Sequence, residues 1–297
     1  MAINLTVCGA TNIGRVRKGN EDAFVIADLS GASLATNGPI TRFEIGERGV
    51  LLAVSDGMGG HNAGEVASAL VVESLGRAMA HDDATHPGDA LVEKAVKSAN
   101  REVWEASHLP GRENMGATLT AMFLEGGTAH IAEVGDSRAY LLRNGHLVQV
   151  TRDQSYVQAL VDAGALEPHE AATSPFRNII LQAMGQQPNV QVALGRLSLR
   201  QRDCFLLCSD GLTNKVTPEE MVEIMLSAPR MDVACTRLIA RANENGGEDN
   251  ITVVMGGVSG DLPACLGEEN IADTLEHLQE YVAPPLQAPS ASAAGRG

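Results

Sequence analysis

Four aspartates stand at the ends of apolar runs in this sequence. LLAVSD ends in Asp56, HIAEVGD in Asp136 and CFLLCSD in Asp210, while Asp249 in GEDN directly precedes ITVVMGG. Taken singly, an aspartate beside Gly, Ser or Asn is typical of a turn. Taken together, the four indicate a cluster, because strands laid side by side bring such ends to one edge of a sheet. Carboxylates crowded there would raise one another's pKa unless a cation joined them.

The types of the available ligands indicate which cation. Apart from His61, five residues after Asp56, no histidine or cysteine accompanies these acids at metal-ligand spacing. Oxygen ligands favour Mg²⁺ or Mn²⁺ over Zn²⁺, and Gly57 lacks a Cβ that would keep its carbonyl from the ion. The loop VSDGMGGHNAGEVAS contains no Lys or Arg, unlike most phosphate-binding loops. We therefore predict that the acid holds a metal and the metal holds a phosphate.

A second group of charges lies in TNIGRVRKGNEDAF, near the N-terminus. By itself this stretch is typical of a solvated, charged turn. Beside a metal cluster, Arg17 could bind a phosphate through two hydrogen bonds. Glu21 and Asp22 could then orient metal-bound water.

One cysteine and one arginine have a spacing that is known from catalysis by a cysteine nucleophile. Cys235 and Arg241 form the Cys-(x)5-Arg pattern of thiol phosphatases, but they lie in an amphipathic helical pattern with no preceding histidine and no glycine-rich cradle. We interpret the spacing as coincidence. The five cysteines contain no Cys-x-x-Cys pair, and we expect buried free thiols.

The elements that position these residues are mostly strands. The turns EGGT and RNGH predict hairpins and hence antiparallel pairing, since Asn-Gly favours a tight two-residue turn. Apolar alternation or continuous apolar runs predict strands at residues 3–9, 23–29, 49–55, 116–124, 128–134, 138–143, 146–150, 190–197, 203–209 and 250–258.

Helical periodicity covers fewer segments. It predicts helices from Ala63 to about residue 79 and over 88–107, 217–227 and 231–244. Residues 153–185 contain short helical patterns between strands and are interpreted as a flap or lid. We assign residues 1–258 to one domain and 259–297 to a C-terminal extension. In this extension ENIADTLEHLQEYV is expected to form a short helix and APPLQAPSASAAGRG a disordered tail.

Composition excludes some classes of function. The 297 residues are 44% hydrophobic, enough for one large domain. A net charge of −15 disfavours binding to nucleic acid or to an anionic membrane. The sequence starts without a signal-peptide pattern and contains no run of about 20 apolar residues. We expect a cytoplasmic protein and a monomer.

The ordered motifs resemble those of PP2C-type (PPM family) protein serine/threonine phosphatases, specifically the bacterial branch. The resemblance covers roughly residues 5–257, and each motif is weak alone, but the whole ordered series is specific. The motifs are GRVRKGNEDAF, VSDGMGGHNAGEVAS, GATLTAMF, VGDSRAYLLRNG, DQSYVQALVDAGAL with NIILQAMG, LLCSDGLTN and GEDNITVV.

The resemblance implies an α+β fold, a four-layer α-β-β-α sandwich of two antiparallel sheets flanked by helix pairs, with two Mn²⁺ or Mg²⁺ ions at one end. Asp56 would bridge the two ions and Gly57 would contribute its carbonyl. Asp210 and Asp249 would complete the shell of one ion. Asp22 would support the other, directly or through water.

Further roles follow from the same resemblance. Glu21 and Asn250 would support the ligands from behind, and Asp136 would hold a third, weaker ion shared with Asp210. Arg17 would bind the phosphate and, with Asp56 and Asp210, carry the reaction.

Two positions depart from the family pattern. Met58 stands where eukaryotic relatives often have a proposed general-acid histidine, which leaves open the proton donor, for which His61 is one candidate and metal-bound water another. Gln154 stands where bacterial relatives commonly have histidine.

The expected reaction is hydrolysis of phosphoserine and phosphothreonine in proteins, a cognate kinase and its substrates among them, by metal-activated water without a covalent intermediate. A small-molecule phosphoesterase is one alternative. A pseudophosphatase binding module is another, although every metal-ligand position that can be matched is intact.

Overall fold

The computed structural model describes residues 2–30, 33–35, 38–59, 63–82, 86–171, 173–265 and 269–285. The strands are β1 (Ile3–Asn12), β2 (Asp22–Asp28), β3 (Ser33–Ala35), β4 (Gly38–Glu44), β5 (Val50–Met58), β6 (Gly116–Ala117), β7 (Leu119–Glu125), β8 (Thr128–Val134), β9 (Arg138–Arg143), β10 (His146–Gln149), β11 (Ala193–Ser198), β12 (Cys204–Cys208), β13 (Ile251–Gly260) and β14 (Leu275–Gln279). The helices are α1 (Ala63–Ala80), α2 (Gly88–Ala106), α3 (Tyr156–Asp162), α4 (Pro168–Ala171), α5 (Asp210–Thr213), α6 (Pro218–Ser227) and α7 (Met231–Glu244).

Two antiparallel sheets form the centre of the fold. One has the strand order β10-β9-β12-β13-β1-β4, and the other has the order β14-β11-β8-β7-β5-β2-β3 with β6 paired to β5. Apolar side chains fill the space between the sheets, helices α1 and α2 cover the larger sheet, and α6 and α7 cover the smaller one. This arrangement confirms the predicted α+β sandwich of four layers.

Local sequence signals account for several of these elements. Asn144 and Gly145 have φ values of 52° and 81°, as the predicted two-residue turn between β9 and β10 requires. Thr217 begins α6 with a capping box, in which its side chain accepts from the backbone N–H of Glu220 while the Glu220 side chain accepts from that of Thr217. Strands β3 and β4 were not predicted.

The predicted flap is a helical excursion between β10 and β11. Its base is closed by backbone hydrogen bonds from Tyr156 to Ile179 and from Leu181 to Gln154. Helices α3 and α4 lie inside it, and the rings of Tyr156 and Phe176 meet edge to face at 6.0 Å. The prediction of a helical insertion here is confirmed for its described residues.

The prediction of a short helix at ENIADTLEHLQEYV is wrong. The segment forms one 3-10 turn, Ile271–Asp273, and then strand β14, which pairs with β11. Thr274 ends the turn, because its hydroxyl donates to the Ile271 carbonyl and accepts from the Arg143 guanidinium. The apolar spacing of this segment favours a helix. The open edge of β11 offers backbone hydrogen-bond partners, however, and the segment pairs there as a strand. The disordered tail was predicted for 283–297, of which residues 286–297 lie outside the described part, so it stays a prediction.

Cys8, Cys208 and Cys235 are buried free thiols, as expected. Cys204 and Cys265 are only partly buried, so the prediction of burial is wrong for these two. Cys235 is buried in α7, and Arg241 forms ion pairs with Glu220 and Glu244, so the Cys-(x)5-Arg spacing forms no phosphate cradle. In the described part of the chain, no helix is both long and apolar enough to cross a membrane.

Candidate metal centre

Acids from both sheets meet at one end of the sandwich. Asp22 and Asp56 are direct cross-strand partners on β2 and β5 of the larger sheet. Asp210 follows β12 and Asp249 precedes β13, both in the smaller sheet, and Asp136 lies in the turn from β8 to β9 that joins the sheets. The fold thus brings together all five aspartates that the sequence assigned to metal binding.

This crowding changes the acidity of the cluster. Burial, followed by repulsion from Asp22, Asp210, Asp249 and Asp136, raises the pKa of Asp56 well above its usual range. Burial raises the pKa of Asp22 to about 7 despite hydrogen bonds from Thr252 and Ser209. Like charges that repel in a region shielded from water are an unstable arrangement unless protons or cations neutralise them.

The acids around Asp210 are affected in the same way. Burial, with repulsion from Asp249, raises the pKa of Asp210 to about 6. Burial, with repulsion from Asp210 and Asp153, raises the pKa of Asp136 well above its usual range.

Two buried oxygens in this cluster show how a cation fits. The Oδ1 atoms of Asp22 and Asp210 have no hydrogen-bond partner among the residues that the structure describes. Among the described residues, no group of three or more Asp, Glu, His or Cys side chains is arranged so that it could hold a metal ion as it stands. Magnesium-type sites commonly use one or two carboxylates and several waters, so such a set is not required. The orphaned carboxylate oxygens and the raised pKa values fit divalent ions bound through oxygen.

Hydroxyl side chains fix two of the acids in place. The Ser209 hydroxyl donates to Asp22 Oδ2 at 2.7 Å and accepts from the Thr252 N–H at 3.0 Å, so it joins the two sheets. The Asp56 N–H donates to Thr118 Oγ1 at 2.9 Å, and the Thr118 N–H returns a bond to the Asp56 carbonyl at 2.8 Å. These bonds hold Asp22 and Asp56 against the repulsion of the cluster.

Asn250 has a mainly architectural role behind the acids. Its carbonyl oxygen accepts from the Glu21 N–H at 2.7 Å, and its amide donates to the carbonyls of Ile13 and Gly19. The N-terminal loop is thereby tied to β13. Glu21 stands beside the cluster, where burial raises the pKa of its carboxyl although Arg17 opposes the shift.

Arg17 contacts the cluster through Asp249. One guanidinium nitrogen donates to Asp249 Oδ2 at 2.8 Å, and 43% of the Arg17 side chain is exposed. The residue predicted to bind phosphate is thus at the rim, and in this structure it neutralises one of the predicted metal ligands.

The glycine after Asp56 is required by backbone packing. A Cβ on Gly57 would lie 2.1 Å from the Gly64 carbonyl oxygen and 2.5 Å from that of Glu21. The Gly57 N–H also donates to the Glu21 carbonyl at 3.0 Å. The close approach of three backbone segments around Asp56 therefore depends on this glycine.

The two departures from the family pattern have defined surroundings. The Met58 sulfur accepts a hydrogen bond from the Gln186 amide at 3.1 Å. Gln154 is 1% exposed, and its side chain accepts from the Gly135 N–H and donates to the Glu133 carbonyl. His61, considered as a proton donor, lies outside the described residues.

Sequence reasoning missed the residues that hold the acids. Ser209 and Thr118 lie in LLCSDGLTN and GATLTAMF, and Asn214, whose amide donates to Asp210 Oδ2 at 3.1 Å, lies in the first of these motifs. Ser209 directly precedes Asp210 and could have been noticed as the residue before a helix. No sequence signal connects it with Asp22, 187 positions away.

The chain is similar to a group of bacterial phosphatases. Residues 40–252 match the profile described as Protein phosphatase 2C. The serine/threonine protein phosphatase PstP of Mycobacterium tuberculosis is 43% identical over 212 residues, which cover 70% of this chain and 40% of PstP. The chain therefore spans less than half the length of that relative. The serine/threonine phosphatase stp of Listeria innocua is 36% identical over 249 residues, covering 82% of this chain and 92% of stp.

Solved structures agree with this similarity. The crystal structure of M. tuberculosis PstP has a TM-score of 0.74 at 36% identity, covering 86% of this chain and 100% of that one. A second structure, of the PstP catalytic domain with two manganese ions, has a TM-score of 0.70 at 36% identity, covering 87% of this chain and 100% of that one. The S. agalactiae serine/threonine phosphatase has a TM-score of 0.75 at 31% identity, covering 85% of this chain and 98% of that one. This chain belongs to the protein phosphatase 2C family of serine/threonine phosphatases.

Proposed function

We propose that this chain hydrolyses phosphoserine and phosphothreonine in proteins, using two Mn²⁺ or Mg²⁺ ions bound by the acid cluster. The observation that carries the proposal is the convergence of acids from both sheets, two of which have a buried oxygen without a hydrogen-bond partner among the described residues. The PstP structure with two manganese ions supports the choice of metal. A third ion near Asp136, action in the cytoplasm and a monomeric state remain predictions from the sequence.

The proposed ligands divide according to their position. Asp56 would hold both ions, with the Gly57 carbonyl beside it, while Asp210 and Asp249 would hold one ion and Asp22 would support the other. When bound, two such ions acidify water and neutralise charge on a phosphoryl group.

The chain's own side chains supply the remaining parts of the chemistry. Ser209 and Thr118 keep Asp22 and Asp56 in place before any substrate arrives, which lowers the cost of reorganisation during the reaction. Arg17, exposed at the rim, can donate hydrogen bonds to two phosphate oxygens along one edge of its guanidinium. The reaction is proposed to proceed without a covalent intermediate.

The substrates are proposed to be phosphoproteins, a cognate serine/threonine kinase and its targets among them. The relatives' names as serine/threonine protein phosphatases support this class. The flap is the part of the fold where selectivity would be expected, since it is an insertion beside the site.

The test is hydrolysis of a phosphothreonine peptide by the purified chain with Mn²⁺, with EDTA, and by Asp210→Asn with Mn²⁺. We expect activity only in the first condition. Asp273→Asn, which changes an exposed aspartate outside the cluster, is the matched control and should keep full activity. Turnover of p-nitrophenyl phosphate without turnover of any phosphopeptide would instead indicate a small-molecule phosphoesterase. A folded, Mn²⁺-loaded chain inactive on both would indicate a binding module.

A further inference from the structure

A cavity of about 400 Å³ lies at the base of the flap. Its walls come from strands β8 and β11, from residues 150–155 that lead into the flap, and from residues 277–283 of the C-terminal extension. The volume lies within the range of small-molecule binding sites. None of the five aspartates of the metal centre is among the residues that line it.

One buried carboxyl in this wall has an unsatisfied oxygen. Glu133, on β8, is 2% exposed, and its Oε2 accepts from the Arg152 N–H at 2.9 Å. Its Oε1 has no hydrogen-bond partner in the described part of the chain. Side chains alternate along a strand, so Glu133 shares a face with Ile131, another lining residue. A buried acceptor left without a donor is costly, and a ligand that supplies the donor removes that cost.

The charge of the lining residues indicates which kind of donor fits. Among the described residues that line the cavity are four acids, namely Glu133, Asp153, Asp162 and Glu280, and one arginine, Arg152. Arg152 forms an ion pair with Asp162, and Asp153 pairs with Arg138 from outside the cavity at 2.6 Å. Neither pair involves Glu133. Burial, with repulsion from Asp153 and Asp136, also raises the pKa of Glu133 well above its usual range. A cation placed beside Glu133 would relieve this repulsion.

We propose that the cavity binds a small cationic ligand whose ammonium or guanidinium group donates to Glu133. The ligand's short apolar chain would pack against the side chains of Ile131, Ala159 and Leu181, which also line the cavity. A free amine could supply this chemistry, and so could a lysine or arginine side chain of a protein.

The C-terminal extension makes this a composite site. Tyr281 and Val282 line the cavity, just beyond strand β14, which pairs with β11. The ligand would therefore contact both the phosphatase sheet and the extension, and its binding would stabilise their association.

The binding test uses the full chain and isothermal titration calorimetry. The probes are n-butylammonium and n-butylguanidinium, with n-butanol and butyrate as neutral and anionic molecules of similar size. We expect at least one cationic probe to bind with a Kd of about 1 mM or lower, and both controls to bind at least about tenfold more weakly. Binding should also release protons, because the cation favours the ionised form of Glu133, and the measured heat should then depend on the ionisation enthalpy of the buffer.

Two variants test whether the cation binds in the cavity beside Glu133. Glu133→Gln keeps the shape and removes the charge, and Ala193→Leu fills space directly across the strand pair from Glu133. Each variant should weaken the binding of the cationic probe at least about tenfold. Glu105→Gln, an exposed carboxylate on α2, is the matched control and should bind like the original chain. Circular dichroism shows whether each variant is folded, and if one is not, the other still tests the site.

Three results would overturn the proposal: no saturable binding of either cation, equal binding of n-butanol, or unchanged binding to a folded Glu133→Gln or Ala193→Leu. A short arginine or lysine peptide titrated in competition with the small cation distinguishes the sources. Displacement by the peptide indicates a protein side chain, and displacement only by free amines indicates a metabolite. The test measures binding alone, so its outcome is independent of phosphatase activity.

Discussion

Strands β9 and β12 lie side by side and carry a group of charged residues at each end. Near one end are Asp136 and Asp210, beside the start of β9 and the end of β12. At the other end, Arg143 closes β9 and Asp203 precedes β12. The two ends of β9 are about 17 Å apart, given the rise per residue of a strand. The same pair of strands therefore supports two kinds of buried charge.

The two groups differ in how their charge is balanced. Arg143 donates twice to Asp203 at 2.7 Å and bonds to the Thr274 hydroxyl and the Ser198 carbonyl, so its guanidinium is satisfied within the protein. Among the described residues, the charges at the centre of the acid cluster are all negative, and Arg17 reaches the cluster from the rim. A satisfied pair at one end and an unsatisfied cluster at the other is what separates a structural site from a site that needs a ligand.

Breaking the satisfied pair should produce the largest loss of stability. Arg143→Met leaves the Asp203 carboxylate buried without its partner, and the free energy of unfolding should fall by about 3–5 kcal/mol. Urea unfolding followed by circular dichroism measures this change. The double variant Arg143→Met with Asp203→Leu should recover much of the loss, because it leaves no unpaired charge. A single variant as stable as the original chain would show that the pair is not balanced as described.

The same kind of substitution in the acid cluster should have the opposite effect on stability. Asp210→Asn should lower kcat with Mn²⁺ by about 10²–10³-fold, since it removes charge at the reacting centre. Without metal it should raise the free energy of unfolding by about 1–2 kcal/mol, because one repelling charge is removed from a site only partly screened by water. Urea unfolding in EDTA and a phosphopeptide assay measure the two effects. A metal-free Asp210→Asn less stable than the original chain would contradict the comparison.

The stability of the metal-free chain should depend on pH because the charge of the acid cluster is not balanced. The folded-state pKa values of Asp22 and Asp210, about 7 and about 6, exceed the unfolded value of 3.8. Between pH 4 and 7 the folded state therefore holds protons that the unfolded state has released, so stability falls as pH rises. We expect a fall of about 1–3 kcal/mol from pH 5 to pH 7.5 in EDTA.

Two comparisons assign that fall to the acid cluster. Saturating Mn²⁺ should reduce it, because the ions replace protons as the neutralising charge, and Asp210→Asn should reduce it even in EDTA. Glu133 contributes in the same direction, and the burial that mainly raises its pKa is the same in all three samples. His130, whose pKa burial lowers, contributes in the opposite direction, and no residue of the acid cluster is among the causes of its shift. A fall of equal size in all three samples would show that the cluster is not its source.

Sequence patterns predict the acid cluster at one end of β9 and β12, but they do not predict the Arg143–Asp203 pair at the other end. Aspartates at strand ends and the ordered motifs predicted the acid cluster, because each acid lies beside a strong apolar run. The Arg143–Asp203 pair had no such signal, since its residues are 60 positions apart and each lies beside an ordinary turn. The prediction of a helix after residue 260 is wrong for a related reason. Its apolar spacing fits a helix, and only the assembled sheet reveals the free edge of β11 that makes it a strand.

Gln154 should give the smallest of these effects, because it links the cluster to the flap without contacting the acids. Its backbone N–H donates to the Gly135 carbonyl, its side-chain oxygen accepts from the Gly135 N–H, and its backbone carbonyl accepts from Leu181. Gly135 directly precedes Asp136, so loss of the side chain should loosen the turn that carries this acid. Gln154→Leu should lower stability by about 1–2 kcal/mol and kcat by about tenfold.

The division between kcat and KM tests this role. Gln154→Leu should change KM for a phosphothreonine peptide less than kcat, and Gln154→His, with ring nitrogens that can replace part of the amide's bonding, should recover more activity than Gln154→Leu. Gln149→Leu, on β10, is the control, because the Gln149 amide donates to the carboxylate of Asp153, the residue before Gln154. If Gln154→Leu and Gln149→Leu lower kcat equally, the link from Gln154 to Asp136 has no special role. A larger loss at Gln154 would mean that the flap and the acid cluster share one positioning residue, and that the cluster, unlike the Arg143–Asp203 pair, depends on its surroundings for its geometry.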